Sequence, residues 1–347
     1  MHVADSIEEF KEQYPSLESY FRSIILFGRN VASYKFALAK SLMDIAQTGK
    51  TIITLEELAV PFSKHICEHI ATAPKQATSQ QSRFLQACKD FNENTITYQQ
   101  LIDTTVALGF NNVIDAFHTV NGSAIPVEFY KKDYQPRSKK IILTDDIYKL
   151  LETPYAGNFV VETESRWNLV EKSWELGISR NLLNVRYDDE SKILFVDPSF
   201  KRKDVTSARG ALNGYQKGKC FYCFDDINVS DDENNTCDVD HFFPHALQPI
   251  FPDVNLDGVW NLVLACPDCN RGEDGKFAKV PATKYLARLH KRNEFLISSH
   301  HPLRETIMRQ TGMTESARRS FLTMVDQRAI DLLIHRWDTP QKAPATF

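Results

Sequence analysis

Residues 237–251 read CDVDHFFPHALQPIF, which sets two aspartates and two histidines among phenylalanines and prolines. The stretch is framed by CFYC at 220–223 and CPDC at 266–269. How it is read decides the fold of the C-terminal half. The two C-x-x-C pairs are 42 residues apart and supply four thiolates, enough for a closed tetrahedral zinc site with no position left open for chemistry. Such a zinc is structural: Cys220, Cys223, Cys266 and Cys269 would clamp the ends of a region too small to build a large core of its own.

Inside the clamp, Asp240 and His241 are adjacent, so in extended backbone their side chains leave on opposite faces. Further on lie Asn261, in the apolar run NLVLAC, and Asn270, directly after the last cysteine. A hard cation such as Mg²⁺ takes oxygen ligands and keeps several waters, so one Asp carboxylate and one Asn carbonyl are a sufficient protein contribution when phosphate oxygens complete the shell. A neutral histidine beside that ion can take a proton from water.

The order Cys-x-x-Cys, Asp-His, a later Asn, then Cys-x-x-Cys-Asn followed by Arg271 resembles the HNH endonucleases with a zinc-stapled ββα-metal fold. The resemblance covers residues 218–280. It implies His241 as general base, Asp240 and Asn270 as ligands of a catalytic Mg²⁺ or Mn²⁺, and Asn261 as the residue that fixes the loop and the base. It also implies hydrolysis of phosphodiester bonds, with double-stranded DNA the expected partner. The third letter of the motif is Asn270 where His is commoner, and an amide oxygen favours Mg²⁺ or Mn²⁺ over softer ions. His245 is expected to orient its neighbours or lie on the surface. The segments SYKFALAKSLMDIA and RNEFLISSHHPLRETIMRQTG resemble regions that accompany HNH domains in bacterial restriction or anti-phage defence, which implies a protein partner in a defence complex, and a homodimer would let two sites cut both strands. A non-catalytic zinc-ribbon module binding nucleic acid or protein is the alternative, which the cysteines alone would satisfy.

Charge is distributed in keeping with a cation-dependent enzyme on a phosphate backbone. The net charge is −4, but Cys220–Cys269 holds ten acidic and no basic residues, and Asn270–Trp337 holds thirteen basic against seven acidic. Arg271, Lys276, Lys279, Arg288, Lys291 and Arg292 are therefore the candidate backbone contacts.

The 347 residues, 42% hydrophobic and 25% charged, predict a soluble α+β protein. No apolar run reaches transmembrane length, the N-terminus lacks a basic leader, and the expected location is the cytoplasm. The expected organisation is a helical region over 1–135 for recognition or partner docking, and an α/β middle segment over 136–205 with a β-hairpin in NVRYDDESKILFVDP. The zinc-stapled domain follows over 206–300 and a helical extension over 301–347. Helices are predicted within NVASYKFALAKSLMDIAQTG at 30–49 and near 55–72, 80–91, 96–108, 163–180, 282–297 and 314–337, with a strand at KKIILT and a linker-like stretch over 201–210.

Two other motifs fail. HICEH at 65–69 has the H-x-x-E-H spacing of a zinc protease without a third ligand in reach. TGKT at 48–51 lacks the earlier glycine of a phosphate-binding loop. A zinc deaminase needs H-x-E, which does not occur.

Overall fold

The computed structural model describes residues 16–27, 32–78, 82–120, 122–135, 138–153, 156–175, 185–189, 191–196, 203–230, 236–299 and 301–347. It is a mixture of helices and small sheets, as the α+β expectation has it. The chain divides into two compact units between residues 177 and 178.

The first unit is built on helices α1 (Leu17–Phe27), α2 (Tyr34–Ala46) and, after the short strand β1 (Ile52–Thr54), α3 (Leu55–Thr72). The sequence TLEE explains where α3 starts. Thr54 accepts from the Glu57 backbone N–H and Glu57 reaches back to the Thr54 N–H at 3.0 Å, a reciprocal cap that satisfies two amides the helix itself cannot. Helices α2 and α3 pack through Leu38 and Leu42 on one side and Leu58, Phe62 and Ile66 on the other, all fully buried. Helices α4 (Arg83–Asn92) and α5 (Tyr98–Thr104) follow, and α5 runs into a π-helical turn, Thr105–Gly109, before α6 (Val113–Ala116). A short hairpin, β2 (Thr119–Val120) and β3 (Ser123–Ala124), precedes β4 (Tyr130–Gln135) and β5 (Ser138–Leu143). These last two join β1 in an antiparallel sheet of order β1-β5-β4. Helices α7 (Asp145–Leu151) and α8 (Gly157–Glu175) complete the unit.

The expected domain break at 135/136 falls at the turn between β4 and β5, whose strands pair from Tyr130↔Leu143 to Gln135↔Ser138. Among the described residues of this stretch, Ser123–Ala124 and Tyr130–Gln135 are strands of the first unit and not a linker. The break lies instead after α8, which begins six residues earlier than expected and buries Phe159, Trp167, Leu169 and Val170.

The second unit opens with an antiparallel sheet of β6 (Val185–Asp188), β7 (Ile193–Val196) and β8 (Lys203–Ser207). The expected hairpin is β6–β7; the stretch read as a connection is its third strand and the start of α9 (Ala208–Gln216). Strands β9 (Asp238–His241) and β10 (Leu262–Ala265) then pair antiparallel, and α10 (Pro267–Arg271) follows at once. Every β10 residue is buried, as befits a continuous apolar run covered on both faces. After β11 (Val280–Pro281) come α11 (Thr283–Ser298), α12 (Arg304–Thr311) and α13 (Glu315–Leu333), and β12 (Arg336–Trp337) pairs with β11.

Residues 301–347 are not an appended extension. Leu303, Ile307, Val325 and Trp337 are buried in this unit, Lys342 donates its backbone N–H to the Cys223 carbonyl at 2.9 Å, and the Phe347 ring stands 4.9 Å from that of Phe224. Among the described residues, no helix is long and apolar enough to cross a membrane.

Candidate metal and catalytic site

Two turns bring the four cysteines together. The first, CFYCF, closes with Phe224 N–H donating to the Cys220 carbonyl at 3.1 Å, and Phe224 itself takes the left-handed conformation (φ 64°) that reverses the chain. The second places Cys266 at the N-cap of α10 with Pro267 in the first turn, where its missing N–H costs nothing. The Sγ atoms of Cys220, Cys223, Cys266 and Cys269 lie within 4.8 Å of one another, all buried, positioned to hold a metal such as zinc. The Cys266 N–H donates to Cys220 Sγ at 3.3 Å, a contact suited to a thiolate. Burial and hydrogen bonds from the other sulfurs push the Cys220 thiol well up, while the same bonds pull Cys223 down. None of the seven cysteines is paired in a disulfide.

Strand β9 hangs from this staple. Asp238 and Asp240 share one face of the strand, and Val239 and His241 share the other. His241 is buried, its ring edge-on to Tyr187 at 5.8 Å, and its Nε2 stands 3.1 Å from Asp257 Oδ1. His245, exposed, turns its Nδ1 to the same oxygen at 2.7 Å. The pair of imidazoles holds the Asp257 carboxyl below its usual range, His241 contributing most. Sequence reading missed Asp257, because nothing in LDGVWN sets it apart from an ordinary turn aspartate. Gly258 beside it is required by close packing: a Cβ there would meet the Trp260 indole and Gln310 at 2.6 Å.

Asn261 is tied into the loop that follows β9. Fully buried, it donates from Nδ2 to the carbonyls of Phe243 (2.9 Å) and Leu256 (2.8 Å), and its Oδ1 accepts from Phe243 N–H at 2.8 Å. Its backbone carbonyl also accepts from Phe242 N–H at 2.7 Å. Every polar atom of the side chain is thus used to tie the backbone after His241 to that at Leu256.

The expected cation ligands are differently engaged. Asp240 accepts from Tyr222 Oη at 2.6 Å on one oxygen and from Lys276 Nζ at 2.9 Å on the other. Asn270 donates from Nδ2 to Asp238 Oδ2 at 3.1 Å, and Arg271 Nε reaches that oxygen at 2.8 Å. The amide after the last cysteine therefore meets the first aspartate of CDVDH, not the second, although both carboxylates lie on one strand face.

The six expected phosphate contacts divide. Arg271 and Lys279 are exposed and Lys291 half-buried. Lys276 and Arg292 are not surface charges, which corrects the sequence reading. Lys276, 1% exposed, is held by Asp240, the His241 carbonyl at 2.8 Å and the Phe277 carbonyl at 3.3 Å. Arg292 caps the carbonyls of Val259, Trp260 and Leu262, and burial lowers its pKa to about 9. Arg288 lies 4.1 Å over the Phe224 ring and donates to the carbonyls of Phe221 and Tyr222, bracing the first cysteine turn. An isolated buried ammonium or guanidinium would be costly, and each of these is offset by carbonyl or carboxylate acceptors.

The failed motif on α3 is likewise accounted for. His65 Nε2 pairs with Asp44 at 2.7 Å, and His69 lies between Glu171 and Glu164 with its ring stacked 3.5 Å from Trp167. Compared with family models, curated protein sequences and solved structures, the chain matches none.

Proposed function

We propose that the second unit is a metal-dependent endonuclease domain of the HNH type, a ββα-metal hairpin and helix braced by a four-cysteine zinc site, acting on DNA, with bacterial restriction or anti-phage defence as its setting. The observation that supports this best is the joint placement of a carboxylate face and a histidine on the two sides of β9, with Asn261 clamping the loop that follows and α10 bringing Asn270 to Asp238.

His241 is the residue to take a proton from water. Asp257 accepts from one ring nitrogen, which fixes the tautomer and turns the other nitrogen toward the reaction. Asn261 holds the following backbone, so the imidazole cannot swing away. Asp240 and Asn270 would hold Mg²⁺ or Mn²⁺, with Asp238 as a further carboxylate on the same face. When bound, that ion supplies charge stabilisation for the phosphate and its departing oxygen. Lys276, on Asp240 Oδ1, offsets part of the negative charge there, as Arg271 does at Asp238 Oδ2. Arg271 and Lys279 are the remaining candidates for contacts to the backbone of the substrate.

A second reading is favoured by one observation: His241, His245 and Asp257 bring ligand atoms within 4.8 Å of one another, close enough to share a transition ion. Incubation of purified chain with supercoiled plasmid, with and without Mg²⁺ and Mn²⁺, tests the proposal. Nicked or linear product that requires the divalent ion and disappears in His241→Ala, with one zinc per chain retained, is the expected result. Two zincs per chain, falling to one in His245→Ala, would favour the second reading; binding without ion-dependent cleavage would leave only a zinc-ribbon module.

A further inference from the structure

The hairpin β4–β5 of the first unit carries a chemistry that the nuclease reading does not use. Residues 130–143 read YKKDYQPRSKKIIL, with five basic residues against one acid. β4 is the edge of its sheet, and on it Lys131, Lys132 and Tyr134 are exposed, as is Lys139 on β5. Lysines blunt an edge strand against aggregation, but that role asks for no exposed aromatic among them. Here the register sets Tyr134 directly opposite Lys139, with Lys132 two residues along the same face. The Lys132 and Lys139 ammonium groups lie 5.8 Å and 5.7 Å from the centre of the Tyr134 ring, which is 42% exposed.

Beneath that ring opens a cleft of about 830 Å³, of the size that takes a small organic ligand. Tyr134, Lys139, Asn111, Asn112, Glu56 and Asp115 line it, and the π-helical turn contributes Val106 and Ala107. Asp115 also pairs with Lys132, which ties the cleft wall to the hairpin. π-Helical turns occur frequently at functional sites. Asn112, on the cleft wall, takes a left-handed backbone (φ 66°), a conformation that costs a non-glycine residue.

The meeting of the two charge signs narrows the ligand, since Asp115 pairs with Lys132 and Lys139 stands on the cleft wall. The hairpin is cationic, whereas the cleft offers carboxylates and amides that accept and donate hydrogen bonds. A free phosphate or an acidic peptide would suit the lysines and be repelled by Glu56 and Asp115. A ligand that is anionic along its length yet projects a neutral, flat, hydrogen-bonding ring suits both. We infer that this hairpin and cleft bind a nucleic-acid strand, with backbone phosphates on Lys132 and Lys139 and one unpaired base against Tyr134 in the cleft. Aromatic stacking of an unpaired base beside a cationic track is the general solution for single-stranded nucleic acid.

The inference does not depend on the cleavage chemistry, and its test separates the two. Fluorescence anisotropy of the full chain, without divalent ions, is read against a labelled single-stranded 20-mer and the blunt duplex of the same sequence over a range of salt. The wild-type chain should prefer the single strand. Tyr134→Ala should weaken that binding by roughly 5- to 100-fold while Tyr134→Phe keeps it. Lys132→Gln with Lys139→Gln should reduce the slope of log affinity against log salt by about 1.4, at about 0.7 for each phosphate no longer neutralised. The three substituted side chains are exposed, and unchanged circular dichroism and melting would show that the variants fold. No binding by wild type, equal affinity and salt slope in the variants, or equal competition by polyglutamate would overturn the inference. Plasmid cleavage that is lost in His241→Ala but unaltered by the hairpin variants would uphold the nuclease proposal while these binding results decide the hairpin separately.

Discussion

The chain contains two histidine pairs at the same spacing, His65 with His69 and His241 with His245, and they end in opposite situations. On α3 the helix sets both rings on one face, yet each finds its own carboxylates: His65 takes Asp44, and His69 is wedged between Glu164 and Glu171 against Trp167. After β9 the backbone turns at Pro244, and the rings converge on a single oxygen of Asp257. The spacing is identical; the surroundings make the first pair a cross-brace and the second a candidate site. The difference lies in accessibility as well. His69 is sealed by tryptophan, whereas the second cluster grades from buried His241 through Asp257 to exposed His245.

The sharpest way to separate the two regions is to remove the metal that only one of them could use. Cys266→Ser, or a strong chelator, should unfold the β9–β10 region and leave α1–α8 in place, since a structural zinc contributes on the order of 10 kcal/mol to a small domain. Hydrogen exchange read along the chain, with zinc content alongside, checks this; uniform loss of protection in both units would show that the cysteines brace more than their own hairpin.

Next in size is the pH response of the cross-brace. Burial alone would pull His69 down, but hydrogen bonds to Glu164 and Glu171 outweigh it and push its pKa up to about 9. The raised value means that the charged ring stabilises the fold fully below about pH 6.5 and that this contribution disappears as pH rises through 9, at most about 3 kcal/mol. Glu164 behaves in the reverse sense. Held down to about 2 against burial by His69 and Lys40, its contribution is present above the ordinary carboxylate range and is lost on acidification toward 2. The melting temperature of wild type minus that of His69→Gln should therefore shrink steadily between about pH 6.5 and 9.5. A gap that stays constant would mean the ring is packed but not charged.

Smaller again is the effect of Asp257→Asn on the second pair. An amide can no longer hold the imidazole as an acceptor of fixed charge, and loss of such an orienting partner costs about 10- to 100-fold in rate. Nitrogen-15 NMR of the His241 ring gives a readout apart from cleavage, because loss of the Asp257 oxygen that faces Nε2 at 3.1 Å should change the ring's tautomer ratio. An unchanged ring spectrum would deny Asp257 its positioning role. Smallest of all is His245→Ala: the ring is exposed and its ion pair lies at the surface, so stability should change by about 0.5 kcal/mol or less. A large loss of bound metal in that variant would instead promote His245 to a ligand.

Much of this was legible in residue order. The paired cysteines and the helix over 55–72 express local rules of spacing and periodicity, and both are found where those rules put them. What lay beyond reading depends on residues brought together across the chain. Asp257 joins His241 over sixteen positions, and Lys276 reaches Asp240 over thirty-six. The charge run after Asn270 could be counted, yet not sorted: Lys276, Arg288 and Arg292 turn inward because carbonyls and aromatic rings from elsewhere wait for them.

The sequence by itself determined that four thiols would meet and that an acid and an imidazole would stand on opposite sides of one strand, since both follow from bonds counted along a few residues. Only the tertiary structure decided that Asn270 faces Asp238, that Lys276 is the counter-ion of Asp240, and that the break between units follows α8. Burial, and the need to pair every charge it encloses, is a property of the folded whole and has no periodicity to read.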